Sequence, residues 1–422
     1  MKKVCIITLG CKVNAYESEL IKENLISNGF TITEDEKESD VIIINTCTVT
    51  NQADSKSRKM IRQARRNNPG SCLVVCGCSA EHHKEALIDL DIDILIGNKD
   101  KSKLVPLIND FLEHHEKIVK FYDLRNVEFE DMSIKNFMGK TRGFVKIQDG
   151  CNNFCSYCII PFMRGNIRSK DIGVAYEEIK CLVENGYQEI VLTGIHTGSY
   201  GANTDYDLVD LIQKISQLPN LKRIRISSIE ITELNEKFMN ELKSNPKIVS
   251  HMHVPIQSGA NKVLKNMNRK YNIDEYKEKI NELRSIREDM SITTDLIVGF
   301  PEESDEDFKE TIDNIEDIRF TKIHTFPFSA RTGTKATLLK PVNDLIKKQR
   351  VDIILKKSDE LEHEFYLKYL NKEVEVLVED KNIGLTGNYI KVKLDKEVPI
   401  NTFKKVLITE INNLEVIGKV LD

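Results

Sequence analysis

Apolar residues fall in short runs separated by segments of helical spacing over the first hundred positions. Residues 3–9 (KVCIITL) are an apolar, β-branched run that predicts a strand rather than the core of a signal peptide. Tyr16, Leu20, Ile21 and Leu25 recur at helical intervals over 16–28, and Gly29 is a stop signal. Residues 41–45 (VIIIN) predict a second buried strand, 54–67 a helix ended by Asn68-Pro69-Gly70, and 72–76 (CLVVC) and 93–96 (DILI) two more strands. Such alternation predicts a parallel sheet covered by helices. Residues 110–140 are polar and irregular, and predict a linker.

The alternation then resumes. Strand-like runs lie at 144–148, 189–193, 223–227, 251–256, 292–298 and 322–328, with helical patterns such as 174–184, 206–217, 273–288 and 304–317 between them. Six repeats predict a partial (β/α) barrel. A long charged helical pattern covers 342–370, after which the period drops to two at 373–379, 389–394, 404–410 and 415–421, the mark of a small antiparallel barrel. The fold class is therefore α/β, in three domains at 1–115, 137–367 and 368–422.

Composition narrows the chemistry. The chain of 422 residues is 40% hydrophobic and 30% charged, with a net charge of −5. It has no apolar run near the ~20 residues a membrane span needs, so no membrane association is expected and a cytoplasmic location is. A basic footprint over the whole chain is absent, though a local one remains possible. Ten cysteines in a long chain read as cytosolic are expected to serve metal or redox chemistry rather than a disulfide framework.

Three cysteines, Cys151, Cys155 and Cys158, are spaced C-x3-C-x2-C just after the first barrel strand, on the face where barrel enzymes do their chemistry. Three thiolates on one loop can grip three corners of an iron–sulfur cube and leave one iron without a protein ligand. Zinc would want four tetrahedral ligands, and the nearest further candidates, Cys181 and His196, lie in other predicted elements. Three buried core thiols are the other alternative, against which their clustering on one polar loop argues.

Cys11, Cys47 and Cys78 are far apart in sequence, yet each follows a predicted strand. Carboxyl ends of parallel strands share one edge, so these thiols should converge. Cys5 and Cys72 at strand positions and Cys181 in a helix read as core thiols. Cys76 competes with Cys78 but sits inside the apolar run.

The segment GFVKIQDGCNNFCSYCIIPFMRG resembles the signature of the radical S-adenosylmethionine superfamily, and TLGCKVN, NTCTVT and CGCSAE resemble the methylthiotransferase family along essentially the whole chain. The resemblance implies two 4Fe–4S clusters. The catalytic one is held by Cys151, Cys155 and Cys158, and the second by Cys11, Cys47 and Cys78. It implies two S-adenosylmethionines per turnover: one methylates sulfur associated with the N-terminal cluster, the other yields the radical that abstracts hydrogen from C2 of the base. The usual alanine–glutamine after the third cysteine is replaced by Ser79-Ala80-Glu81. Tyr157 is placed beside the adenine of the cofactor. Thr193 and Gly194 lie in a glycine-rich turn near its amino group. Ser228 and Glu230 end the third barrel strand, where a carboxylate could meet a ribose hydroxyl, and Gln257 and Gly299 are candidates for lining the same pocket. His253 reads as a packed histidine.

Lys56, Arg58, Lys59, Arg62, Arg65 and Arg66 load one helix without an intervening acid, and could contact RNA phosphate or form a solvated face. Arg164 and Arg168 are weaker candidates of the same kind. The C-terminal barrel resembles a TRAM domain, the family's RNA-binding module. The implied substrate is tRNA, and the motifs are most like the branch acting on N6-threonylcarbamoyladenosine next to the anticodon. Where the isopentenyladenosine branch has glutamine–methionine after the first cysteine and the ribosomal-protein branch has proline–lysine, this chain has Lys12-Val13. An electron donor such as flavodoxin or ferredoxin is implied as a partner. A metal-bearing RNA-binding module without catalysis is the alternative of another class.

Overall fold

A computed structural model describes residues 1–130, 132–137 and 141–421. The N-terminal sheet contains β1 (Lys3–Thr8), β2 (Thr31–Thr33), β3 (Val41–Thr46), β4 (Cys72–Gly77), β5 (Ile94–Ile96) and β6 (Ile118–Lys120). All six are parallel, in the order β2-β1-β3-β4-β5-β6. Side chains alternate between the two faces, as the pleat requires. Val4, Val41, Ile43, Cys72, Val74 and Ile94 pack on one face beneath α1 (Lys12–Ser27). Ile42, Ile44, Leu73, Val75 and Leu95 pack on the other, beneath α2 (Asn51–Asn67), α3 (Cys78–His82) and α4 (Lys84–Ile88). The predicted linker begins too early: α5 (Leu104–His114) and β6 occupy part of it, and α5 buries Leu104, Val105, Leu107 and Ile108 against the first face. The rest of that expectation falls partly on residues outside those described.

The central unit carries β7 (Arg142–Lys146), then a small antiparallel ribbon of β8 (Gln148–Asp149) and β9 (Arg168–Ser169) flanking α6 (Ile160–Arg164). It continues with α7 (Ile172–Glu184), β10 (Glu189–Thr193), α8 (Leu208–Ser216), β11 (Arg223–Ile226), α9 (Glu236–Ser244), β12 (His251–His253), α10 (Asn261–Asn266), α11 (Ile273–Ile286), β13 (Ser291–Val298), α12 (Asp305–Ile318) and β14 (Lys322–Pro327). Two parallel three-stranded sheets, β11-β10-β7 and β12-β13-β14, are joined by a single parallel bridge between Ile224 and Ile248. The barrel is open between β7 and β14. One continuous core, from Val145 and Ile190 to Ile292 and Ile323, packs its helices to its wall.

The long helix α13 (Asp344–Leu367) leads to β15 (Glu373–Asp380), β16 (Ile383–Thr386), β17 (Lys391–Leu394), β18 (Phe403–Asn412) and β19 (Glu415–Val420). These close into a barrel in which only the β17–β19 pair is parallel. It caps the amino ends of the central strands. Arg223 donates to the carbonyls of Leu385 (3.0 Å) and Glu375 (2.8 Å), Arg225 donates to that of Gly387 (3.2 Å), and Arg142 pairs with Glu379 (2.6 Å). Among the described residues no helix is long and apolar enough to cross a membrane.

Candidate active site

The two cysteine sets are built differently. Cys151, Cys155 and Cys158 lie on the irregular segment between β8 and α6. Backbone bonds fix its shape: Cys151 N–H donates to the Gly165 carbonyl (3.1 Å), Cys158 N–H to that of Cys155 (3.0 Å), and Ser156 N–H to that of Met267 (3.0 Å). Phe154 at the apex has a left-handed φ of 46° and meets Phe162 edge-on at 6.0 Å.

Cys11, Cys47 and Cys78 follow β1, β3 and β4, three adjacent strands, so the sheet itself gathers them. Gly10 and Gly77 make the turns tight enough. Both have φ near +100°, at 97° and 99°. A Cβ on Gly10 would lie 2.7 Å from the Cys47 Sγ, and one on Gly77 would lie 2.5 Å from the Thr46 carbonyl. Cys76 is fully buried within β4, with its thiol 3.8 Å from Asn45 Oδ1, and so points away from the turn that Cys78 opens.

Both sets suit a multinuclear cluster better than a single ion. Zinc–thiolate bonds of about 2.3 Å in a tetrahedron hold their sulfurs roughly 3.8 Å apart. Among the described residues, the only three His, Cys, Asp or Glu side chains whose ligand atoms lie within 4.8 Å of one another are Asp54, His82 and His83. Neither cysteine trio is drawn that tight. Two of the thiols, Cys47 and Cys158, are also costly to ionise alone. Burial, then the neighbouring thiols, push Cys47 up to about 11 and Cys158 up to about 12. A coordinated cation reverses that cost by taking the thiolate.

The trios share a wall. Cys78 packs on Ile159 and Met163, the residues that follow Cys158 into α6. Asn98 Nδ2 donates both to Cys78 Sγ (3.4 Å) and to the Met163 carbonyl (2.8 Å). Beneath them lies a buried ionic network. Glu17 accepts from Lys146 (2.7 Å) and Arg164 (2.8 Å) and pairs with Lys101. Asp149 pairs with Lys146 (2.7 Å), Arg168 (3.0 Å) and Arg164 (3.3 Å), and Arg164 also donates to Asn14 Oδ1 (2.7 Å). Four cations face two carboxylates, and the excess lies against thiols: the Arg164 guanidinium interacts with both Cys78 and Cys11. That balance suits an anionic set of thiolates. It also corrects the expectation that Arg164 and Arg168 meet RNA, since Arg164 is fully buried and both are spent inside the protein.

Other predicted residues take specific places. Tyr157 packs against Ala260, Val263, Met267, Phe300 and Phe328. Thr193 ends β10, buried, and its carbonyl accepts from Ile147 N–H (2.9 Å). Gly194 leaves room for Gln148, whose side-chain oxygen takes the His196 N–H (2.7 Å). His196 in turn stands 3.9 Å from Cys151 Sγ and 2.5 Å from Glu233. Ser228 is half-buried just beyond β11. Glu230 is engaged by Arg269, whose other nitrogens reach Cys155 Sγ (3.4 Å) and Tyr271 (3.1 Å). Gln257 has φ +64° and bridges to β13 through Asp295 and Ile297. The small size of Gly299 is accounted for by packing, since a Cβ there would lie 2.4 Å from Lys347. His253 is half-buried, 3.0 Å from Thr293 Oγ1. On α2, Arg65 leaves the basic set because it pairs with Asp93 (2.6 Å) and donates to the carbonyls of Pro69, Ser71 and Asp91. Lys56, Arg58, Lys59, Arg62 and Arg66 make no ion pair among the described residues. Sequence reasoning missed Glu17, Asn98, Gln148 and Arg269. Each acts through a partner distant in sequence, and no local pattern announces it.

Residues 3–97 match the uncharacterized protein family UPF0004, and residues 145–315 match the radical SAM superfamily. The chain is 39% identical over 406 residues to the threonylcarbamoyladenosine tRNA methylthiotransferase MtaB of Bacillus subtilis, covering 93% of this chain and 90% of that one. It is 34% identical over 423 residues to a tRNA-2-methylthio-N(6)-dimethylallyladenosine synthase of Thermodesulfovibrio yellowstonii, covering 98% and 96%. Among solved structures it resembles the radical S-adenosylmethionine methyltransferase TsrM of Kitasatospora setae, with a TM-score of 0.56 at 13% identity, over 77% of this chain and 73% of that one. This last likeness shows the fold.

Proposed function

The chain belongs to the radical S-adenosylmethionine methylthiotransferases of the MtaB type, and from that premise we propose that it converts N6-threonylcarbamoyladenosine next to the tRNA anticodon to its 2-methylthio form. The observation that carries the proposal is the meeting of the two cysteine trios at the Asn98 amide, which touches Cys78 on one side and the segment after Cys158 on the other.

The family uses S-adenosylmethionine and an iron–sulfur cluster. The finer assignment is two 4Fe–4S clusters, one on Cys151, Cys155 and Cys158 and one on Cys11, Cys47 and Cys78, with two S-adenosylmethionines per turnover. When bound, the central cluster supplies an electron for adenosylmethionine cleavage and the second supplies a site for the transferred sulfur. The protein's part is placement. The loop between β8 and α6 leaves one corner of the central site without a cysteine. Tyr157, Thr193, Gly194, Ser228, Glu230, Gln257 and Gly299 are the residues proposed to form the cofactor pocket, with Arg269 holding Glu230 and Cys155 in register. Packing of Ile159 and Met163 on Cys78 gives the wall between the sites an apolar contact. A small redox protein such as flavodoxin or ferredoxin is the proposed electron donor. The cytoplasm, where tRNA is processed, is the proposed location. The five unpaired cations of α2 and the C-terminal barrel are the proposed RNA contacts, and 1–115, 137–367 and 368–422 the proposed domains.

Nucleoside mass spectrometry of tRNA from cells lacking the protein tests the substrate. 2-Methylthio-N6-threonylcarbamoyladenosine should vanish while its unthiolated precursor accumulates. An unchanged level would overturn the assignment.

A further inference from the structure

The residues that end α10, 266–269, are laced to the central cysteine loop. Ser156 donates its N–H to the Met267 carbonyl (3.0 Å) and its hydroxyl to that of Asn266 (2.7 Å). The Asn268 amide donates to the Phe154 carbonyl (3.1 Å). Asn268 has a left-handed φ of 62°, and the Arg269 N–H closes the turn on the Leu264 carbonyl (3.0 Å). Such a turn ends a helix and satisfies its last carbonyls. Arg269 therefore starts from backbone that is tied to the loop carrying Cys151, Cys155 and Cys158.

The side chain is fixed as firmly. It is only 4% exposed. Its Nε donates to the Tyr271 hydroxyl (3.1 Å), and the guanidinium lies over the Tyr271 ring at 5.0 Å. That hydroxyl is anchored in turn at the carbonyls of Pro255 (3.0 Å) and Ile256 (2.9 Å). One terminal nitrogen pairs with Glu230, and the other donates to Cys155 Sγ (3.4 Å). Among the described residues no other side-chain nitrogen donates as closely to a central thiol, that of His196 standing 3.9 Å from Cys151. A guanidinium stays charged at any working pH. With Glu230 behind it, the pair is a buried dipole whose positive end rests on sulfur.

We propose that Arg269 is a positioning residue that raises the reduction potential of the central cluster, with Glu230 as the counter-charge that limits the rise. This rests on the cluster reading given above and adds to it the group that tunes the cluster. Iron–sulfur potentials follow net charge, burial and hydrogen bonds to the sulfurs. Reduction adds one electron, which the donor protein loses, and Arg269 takes up no proton because it is already charged. The added charge strengthens every hydrogen bond that a sulfur accepts. An N–H held on Cys155 therefore favours the reduced state over the oxidised one. It does so without reorganising, because Tyr271 and the turn after α10 aim it beforehand. A higher potential makes the electron easier for the donor to deliver.

The test is a redox titration of full-length enzyme with reconstituted clusters, without S-adenosylmethionine, in which electron paramagnetic resonance counts the reduced cluster. The signal that Cys151→Ala lacks belongs to the central cluster. At the wild-type midpoint, Arg269→Gln should hold roughly tenfold less reduced cluster per oxidised cluster, the value of a charged hydrogen bond. That is a midpoint lower by about 59 mV for a one-electron couple. Glu230→Gln leaves the guanidinium without its counter-charge and should move the midpoint upward. An Arg269→Gln variant that titrates with the wild type would overturn the proposal. So would a shift of both variants in the same direction, the mark of a disturbed loop rather than of charge. If Arg269→Gln holds no cluster, Glu230→Gln decides: a raised midpoint supports the assignment, and a lowered or unchanged one overturns it. A Cys151→Ala variant that keeps every signal would instead sink the cluster reading, and this assignment with it.

Discussion

The central thiol trio is written in eight consecutive residues, whereas the N-terminal one is assembled from three strand ends spread over sixty-eight, from Cys11 to Cys78. The first depends on one loop and its backbone bonds. The second depends on a whole sheet being in register. A local site can be damaged without harming the fold, while a scaffolded site reports on the fold around it.

The largest contrast should come from the cysteines themselves. Cys151→Ala should abolish 5′-deoxyadenosine formation and lower iron from about eight to about four per chain. Cys11→Ala should lose the same iron, keep adenosylmethionine cleavage and stop methylthio insertion. Chromatographic assay of both products with anaerobic iron analysis checks this, and methylthiolation retained by Cys11→Ala would remove the second-site assignment.

The next effect is on stability. Arg164→Gln leaves Glu17 and Asp149 short of a buried partner and should cost about 3–5 kcal/mol, read as a lower denaturant midpoint. Arg125→Gln, at an exposed pair with Asp123, should leave the midpoint nearly unchanged. Equal shifts would mean the network contributes nothing special.

The same network sets a pH dependence. Burial alone would raise the Glu17 and Asp149 carboxyls. Arg164, Lys101 and Lys146 around Glu17, and Arg168, Lys146 and Arg164 around Asp149, overcome it and hold both well below the ordinary range. A depressed carboxyl contributes stability that is complete above its unfolded value near ~4 and is lost as the pH falls. The denaturation midpoint should therefore be flat from neutral pH down to about 5 and then drop, with a shallower drop in Glu17→Gln.

The smallest effect is expected at the surface. Arg62→Ala and Arg66→Ala should each reduce the slope of log affinity for tRNA against log salt by about one. Arg65→Ala should instead destabilise the N-terminal sheet. An unchanged slope in both surface variants would place the RNA elsewhere.

Much of this was legible in the residues. Strand runs such as VIIIN and CLVVC showed their periods plainly, and strand ends predicted the convergence of Cys11, Cys47 and Cys78. Short elements were lost where polar residues dilute the pattern: α5 and β6 were absorbed into an expected linker, and β16 escaped because four residues carry little period. The ionic network was illegible for another reason. Arg164 looks like a surface cation in sequence, and only the folding of Glu17 and Asp149 onto it, from 147 and 15 residues away, shows that it belongs inside.

The network has a consequence for how such a protein can be built from parts. An apolar seam tolerates sliding, since grease fits grease in many alignments. A seam of paired charges has one alignment, and every other strands a carboxylate or a guanidinium without its mate. The N-terminal unit is therefore keyed to this barrel. Grafted onto a foreign barrel that lacks the equivalents of Lys146, Asp149 and Arg164, it would carry its three cysteines intact and present them at no fixed distance from the chemistry they serve.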